Sequence, residues 1–138
     1  MAAKIRVSIL IALLTVTVAH ADDITESDRI LCSVSRIMLC VEDGECFPVS
    51  AIELDAPQFL VIDLKKKTIT TTEASAEHRL SNVANLVREN GRVFLQGIEN
   101  NRAYSILIEQ DIGRFTGSVS RDGITMSTFG ACTDADVR

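Results

Sequence analysis

The sequence predicts a mainly all-β protein, a small antiparallel up-and-down β-barrel of about seven or eight strands with two disulfides. From Phe59 onward, short β-rich segments alternate with turn signals about every ten residues, which is typical of an antiparallel meander. Such a meander leaves open sheet edges, and closure into a barrel removes them. Four cysteines in a chain that starts with an export signal indicate disulfides.

The first 21 residues have the pattern of a secretory signal peptide. Lys4 and Arg6 precede an apolar run over residues 9–18, and Ala19 and Ala21 place small residues three and one before a cleavage site. The run is shorter than the roughly 20 apolar residues that a membrane crossing requires. We therefore expect cleavage after Ala21, export to the periplasm or the medium, and a single β-rich domain over residues 22–138 without a stable membrane anchor.

Composition and charge exclude several classes of protein. The chain has 46% hydrophobic and 24% charged residues and a formal net charge of −5, which fits neither a disordered chain nor a nucleic-acid-binding protein. Removal of residues 1–21 would leave 12 basic and 19 acidic side chains, a net charge of −7. Electrostatic steering then favours basic partners.

The four cysteines allow three disulfide pairings. We favour Cys40 with Cys46, because the segment Glu42-Asp43-Gly44-Glu45 between them reads as a turn, and this leaves Cys32 with Cys132. The second bridge suits a closed barrel, since only closure makes the first and last strands neighbours. A zinc site is the alternative, but the spacing lacks the paired C-x-x-C knuckles of such sites.

The segments before Phe59 are ambiguous. Residues 22–29 are polar and we expect them to be loose, although Thr25 and Asp28 have a spacing that allows a short N-terminal helix. Residues 30–41 fit either a helix or a strand.

From Phe59 the elements are clearer. Residues 59–64 and 68–72 form a predicted hairpin around a lysine turn, residues 80–88 fit a strand or a helix face, and Asn90-Gly91 is a strong hairpin signal. Strands are predicted over 92–99, 102–109, 114–120 and 124–130. Alternation places Tyr104, Ile106 and Ile108 on one face, and Phe115, Gly117 and Val119 inward.

Three stretches carry a resemblance: FLVIDLKKKTI (residues 59–69), VFLQGIENNRAYSILI (residues 93–108) and FGACT (residues 129–133). Together they resemble a set of uncharacterised small exported proteins of proteobacteria, which implies a compact β-rich exported domain. More distantly, a signal peptide before a small disulfide-bonded β-barrel is similar to lipocalin-like barrels and to periplasmic lysozyme inhibitors of the membrane-bound C-type class.

Candidate chemical groups are few, and the sequence predicts no catalytic, cofactor-binding or metal-binding residue. His78, the one histidine after residue 21, lies in a polar linker and reads as a solvated loop residue. Asp63 interrupts an apolar strand, either facing outward or placed at a barrel mouth. The remaining candidates fall in predicted turns, where they serve the backbone or guard an edge: Asp43, Glu45, Lys65, Lys66, Lys67, Asp111 and Asp122.

These patterns predict a non-catalytic binding protein. An eight-stranded barrel is wide enough to hold one small ligand, and a chain with five phenylalanines, one tyrosine and no tryptophan has few large rings to fill the interior. A small apolar ligand is therefore the first hypothesis. An inhibitor of a cationic enzyme such as lysozyme is the second, and a hydrolytic enzyme is the least favoured.

Overall fold

The computed structural model describes residues 22–136, which form ten β-strands and no helix. The predicted signal peptide lies outside the described residues. The strands are β1 (Arg29–Val41), β2 (Cys46–Val49), β3 (Phe59–Asp63), β4 (Thr68–Thr71), β5 (Leu80–Asn82), β6 (Asn85–Glu89), β7 (Arg92–Glu99), β8 (Arg102–Glu109), β9 (Arg114–Arg121) and β10 (Ile124–Asp134). The all-β prediction is confirmed.

The two segments that fit either a helix or a strand, residues 30–41 and 80–88, form strands. The short helix allowed by Thr25 and Asp28 is not formed. Residues 25 and 26 make a turn instead, and β1 begins at Arg29. The β-branched residues of the following segment pack better on a pleated sheet than on a helix, which explains why the strand is preferred. In residues 22–136 no helix has the length and hydropathy that a membrane crossing would need.

All ten strands belong to one curled antiparallel sheet in the order β5-β4-β3-β1-β10-β9-β8-β7-β6, with β2 paired to the far half of β1. β5 and β6 lie at the two ends of this order, yet only Val83 and Ala84 separate them in the chain. The backbone N–H of Ala84 donates to the carbonyl of Gln96 in β7 at 2.9 Å. β5 and β6 are thus two halves of one bent strand that joins the sheet ends. If β5 and β6 are counted as one strand, the sheet has eight strands in up-and-down order, and the short β2 pairs with β1 beside them.

The longest strand, β1, organises the sheet. It pairs with β10 along most of its length, with β3 through residues 29–33 and with β2 through residues 37–40. A bulge between Val34 and Arg36 shifts the register. Gly130 of β10 faces this bulge, and a Cβ there would overlap the carbonyl oxygen of Ser33. The close approach of the two backbones therefore requires glycine at position 130.

Both disulfides join residues directly opposite each other on paired strands. Cys32 is bonded to Cys132 across β1 and β10, and Cys40 to Cys46 across β1 and β2, with Cα–Cα distances of 4.0 and 4.1 Å. The backbone N–H of Cys132 points away from β1 and donates to the carbonyl of Gly113 at 2.6 Å. Cys32 and Cys132 are therefore a non-hydrogen-bonded pair of the sheet, the type of pair in which facing side chains are closest. The predicted pairing is confirmed.

The barrel interior holds the hydrophobic core, as strand alternation predicted. Most inward residues of β7, β8 and β9 are buried and Tyr104 and Val119 are half-buried, whereas their neighbours along each strand face out. The most deeply buried apolar side chains are Ile24, Ile30, Ile62, Val93, Leu95, Ile108 and Phe115. Most of them come from strands, but Ile24 precedes β1.

Residues 22–28 close one end of the barrel, so the expectation that residues 22–29 are loose is wrong. Ile24 is fully buried, and its backbone N–H donates to the carbonyl of Gln110 at 2.8 Å. The Gln110 side-chain amide donates back to the Ile24 carbonyl at 3.0 Å, and Arg88 donates to the Gln110 Oε1 at 3.1 Å. The single apolar side chain of Ile24 is enough to dock this otherwise polar segment, because backbone groups of the segment also hydrogen-bond to the barrel.

Candidate functional site

The end of the barrel opposite residues 22–28 opens into a cavity of about 150 Å³. Its floor is buried and apolar, formed by Val34, Ile37, Ile69, Ile106 and Phe115. Met126, Leu60 and Leu54 extend the apolar wall towards the opening. The space exists because inner positions such as Gly117 and Ser81 carry little or no side chain.

Tyr104 forms one wall of the cavity by lying across Gly97. The two residues are directly opposed in the β7–β8 pair, and a Cβ at position 97 would lie 2.6 Å from Cζ of the tyrosine ring. The Tyr104 hydroxyl donates to the carbonyl of Asn82 at 3.0 Å, which ties β8 to the end of β5. Gly97 is therefore the residue that lets the ring lie flat against the sheet.

Burial and a nearby carboxylate both raise the pKa of Tyr104. Partial burial raises the pKa of Tyr104 above its usual value, because the phenolate loses hydration. The negative charge of Glu99, which also lines the cavity, raises the pKa of Tyr104 further. The ring is thus a neutral, largely apolar wall at physiological pH.

Arg79 fastens two loops at the rim of the cavity. Its guanidinium donates to the backbone carbonyl of Asp55 at 2.8 Å and pairs with Glu77 at 2.5 Å. Its backbone N–H donates to the Thr71 hydroxyl at 3.2 Å, and that hydroxyl donates to the Glu77 carbonyl. The β2–β3 and β4–β5 loops are therefore held together, and the charge of Arg79 is already compensated.

The loops around the opening are strongly acidic. We call mouth loops the five connections at this end, β1–β2, β2–β3, β4–β5, β7–β8 and β9–β10, each with one flanking strand residue on either side. They carry nine acidic and three basic side chains, a net charge of −6. These are Glu42, Asp43, Glu45, Glu53, Asp55, Glu73, Glu77, Glu99 and Asp122, with Arg79, Arg102 and Arg121. The field at the opening therefore disfavours anions.

The structure separates most of the residues that the sequence singled out. His78 is exposed in the β4–β5 loop and is not part of the cavity lining. Asp63 lies at the closed end, where its Oδ1 accepts the backbone N–H of Lys66 at 2.8 Å, so it caps a turn and is not at the mouth. In the same turn Lys65 pairs with Asp28 at 2.7 Å.

The acidic turn residues are divided between the two ends. Asp43, Glu45 and Asp122 belong to the mouth loops, whereas Asp111 lies at the closed end beside Gly113. In residues 22–136 no three side chains of the His, Cys, Asp or Glu type converge into a metal-binding group.

Sequence reasoning did not single out Ser81, Arg79 or the pairing of Gly97 with Tyr104. A signal existed for the last of these, because a two-residue turn at Asn100 and Asn101 sets Gly97 opposite Tyr104. No comparable signal marks Ser81 or Arg79, since the cavity brings together strands that are distant in sequence. Comparison of the chain with protein-family models, with curated proteins and with solved structures found no match.

Proposed function

We propose that this protein is an exported, non-catalytic binding protein that holds one small apolar ligand in the cavity at the open end of the barrel. The cavity itself carries the proposal: it measures about 150 Å³ and its floor is apolar and buried. An engineered apolar cavity of similar volume binds benzene. A ligand of about six to eight non-hydrogen atoms is therefore the right size.

Export is part of the same proposal. Two disulfides, one of them bridging residues 100 apart, fit an oxidising compartment. Residues 1–21 would direct the chain to the periplasm or beyond and be removed there. The intact mass of protein recovered from the host should correspond to a chain that begins at Asp22. A mass that includes residues 1–21 would contradict cleavage after Ala21.

The groups that reach the cavity support a binding protein over an enzyme. His78 is exposed outside it, the four cysteines are bonded in pairs, and Arg79 is committed to Glu77 and Asp55. Within residues 22–136, no serine or threonine hydroxyl of the cavity lining hydrogen-bonds to a carboxylate or an imidazole, the arrangement that activates a nucleophile. Any activity or affinity found should survive His78→Ala within a few-fold, whereas loss of a general base would lower an activity about 10² to 10⁴-fold.

Tyr104 provides a direct assay for the ligand. It is the one tyrosine of a chain without tryptophan, and it forms a wall of the cavity. Cyclohexane, which does not absorb at the excitation wavelength of tyrosine, is a suitable probe. Titration of the purified protein should change the Tyr104 emission in a saturable manner.

A matched pair of variants tests where the probe binds. Ala56 lines the opening, so Ala56→Phe places a ring in the cavity and should abolish saturable binding. Ala103→Phe makes the same substitution on the exposed outer side of β8 and should leave binding unchanged. Equal binding by the two variants, or no binding by the unmodified protein, would refute the proposal.

A second candidate function rests on the charge of the mouth loops. A net charge of −6 on one end of the molecule favours docking of a basic protein, which is the behaviour of an inhibitor of a cationic enzyme such as lysozyme. Association should then weaken steeply with salt. Replacing Glu42 and Asp43 by lysine should weaken it far more than replacing Asp111 and Asp136 at the closed end, and equal effects would reject a mouth-directed interaction.

A further inference from the structure

Three charged side chains line the cavity, and two of them are not paired. Arg79 is held by Glu77 at 2.5 Å. Glu99 and Arg102 form no ion pair with each other or with any other residue in the range 22–136. Both are half-buried, so each charge has lost part of its hydration without gaining an opposite charge beside it.

Glu99 and Arg102 face each other across the β7–β8 hairpin. They are directly opposed in the strand pair and flank the turn Asn100-Asn101. Opposed residues stand on the same face of a sheet, with their Cβ atoms about 5 Å apart. Here that face is the inner one, since both residues line the cavity at its open end. One small molecule can therefore contact the carboxylate and the guanidinium at the same time.

These two charges decide which head group suits the rim of the cavity. The negative field of the mouth loops disfavours a ligand that carries only a carboxylate. A ligand that carries only an ammonium group is attracted by that field, but it meets the unpaired charge of Arg102. An uncharged head group leaves both residues without a partner. A head group with one ammonium and one carboxylate compensates both charges and has no net charge of its own.

The floor of the cavity selects the other half of the ligand. Ile106 and Phe115 are buried there, and the cavity of about 150 Å³ has the size of one that holds benzene. A branched or cyclic hydrocarbon group fits this space, whereas a polar group would lose its hydration in it.

We infer that the ligand of this cavity is a free α-amino acid with an apolar side chain, whose carboxylate binds Arg102 and whose ammonium group binds Glu99. The inference rests on the proposed function, because it assigns the chemistry of the same cavity. The guanidinium donates two parallel hydrogen bonds to the carboxylate, and the Glu99 carboxylate accepts from the ammonium group. Only a free amino acid carries both charges on one carbon atom, since a peptide places them on different residues.

Four cyclohexyl compounds with the same ring test the inference, with the Tyr104 emission as readout. Cyclohexylglycine carries both charges, cyclohexylmethylamine only the ammonium group, cyclohexylacetate only the carboxylate, and cyclohexane neither. None of them absorbs at the excitation wavelength of tyrosine. We expect cyclohexylglycine to bind roughly 10-fold more tightly than either singly charged compound, the gain expected for one more charge-assisted hydrogen bond.

Arg102→Gln and Glu99→Gln separate the two contacts. The decisive quantity is the affinity of each charged compound divided by that of cyclohexane in the same variant, so that a change in the cavity itself cancels. Arg102→Gln should lower this ratio roughly 10-fold for cyclohexylglycine and cyclohexylacetate, but not for cyclohexylmethylamine. Glu99→Gln should lower it for cyclohexylglycine and cyclohexylmethylamine, but not for cyclohexylacetate.

Arg121→Gln and Glu73→Gln are the matched controls. They make the same changes of charge in the mouth loops, at residues that do not line the cavity. Both should alter the ratios less than about 2-fold, because salt screens exposed charges at a distance. Effects as large as those of the lining variants would show that only the general field acts on the ligand, and would overturn the inference.

The remaining outcomes separate the inference from the proposed function. Binding of cyclohexane without a gain for cyclohexylglycine over both singly charged compounds would overturn the amino-acid assignment and leave the apolar cavity as the binding site. Failure of all four compounds to bind would reject the proposed function as well.

Discussion

Tyr104 covers Gly97 from the neighbouring strand, and its ring occupies the space where a Cβ of residue 97 would stand. The contact fixes the ring between the cavity and the sheet, and the hydroxyl reaches the Asn82 carbonyl near the joint of β5 and β6. The glycine, the ring and the bent strand therefore form one structural unit beside the cavity.

Gly97→Ala should destabilise the protein by about 1 to 3 kcal/mol, because the added methyl group must displace the ring or the strand. Urea unfolding measures the change in the free energy of unfolding. In a Tyr104→Ala background the same substitution should cost much less, since the overlapping atoms are gone. An equal loss of unfolding free energy in both backgrounds would mean that the Tyr104 ring is not the reason why residue 97 must be glycine.

Titration of Tyr104 should show one transition with a pKa above about 10, the usual value for tyrosine. Burial is the main cause and Glu99 the second, so Glu99→Gln should lower the midpoint without returning it to the usual value. Ultraviolet absorbance detects the phenolate of the one tyrosine in the chain. Glu73→Gln, in the β4–β5 loop, is the control and should not move the midpoint.

Ile24→Ala should lower the free energy of unfolding by about 2 to 5 kcal/mol, the usual cost of truncating a fully buried isoleucine. Ile98→Ala is the matched control, because Ile98 is 76% exposed on β7 and its truncation should cost less than about 0.5 kcal/mol. Similar small effects in the two variants would show that residues 22–28 do not dock into the barrel in solution.

The two disulfides should contribute unequally. In the chain-entropy model the bridge between Cys32 and Cys132, 100 residues apart, stabilises the fold by about 4 to 5 kcal/mol, whereas the bridge between Cys40 and Cys46 contributes about 2 kcal/mol. Paired alanine variants of each bridge, compared by urea unfolding, measure both. A larger loss from the Cys40–Cys46 pair would contradict the chain-entropy account of the two bridges.

Local patterns in the sequence were sufficient for much of the β-sheet. The strands 92–99 and 102–109 lie where alternation and the turns Asn90-Gly91 and Asn100-Asn101 predict them, because a two-residue hairpin turn fixes both strand ends and register. The disulfide pairing was likewise accessible, since a short turn leaves Cys40 one near partner. The secondary structure of residues 30–41 and 80–88 could not be predicted from local pattern, because their apolar residues fit both the helical and the strand period.

The sequence by itself determined the strands over residues 59–72 and 92–130, their turns and their inward faces, because each depends on neighbours within a few residues. Only the tertiary structure decided that Ile24 closes one end, that Asp63 caps a turn at that end, and that an apolar cavity opens at the other. These features depend on which strands meet when the sheet curls, and on how much volume their inward side chains leave. Such volumes arise from contacts between distant residues, which no local pattern encodes.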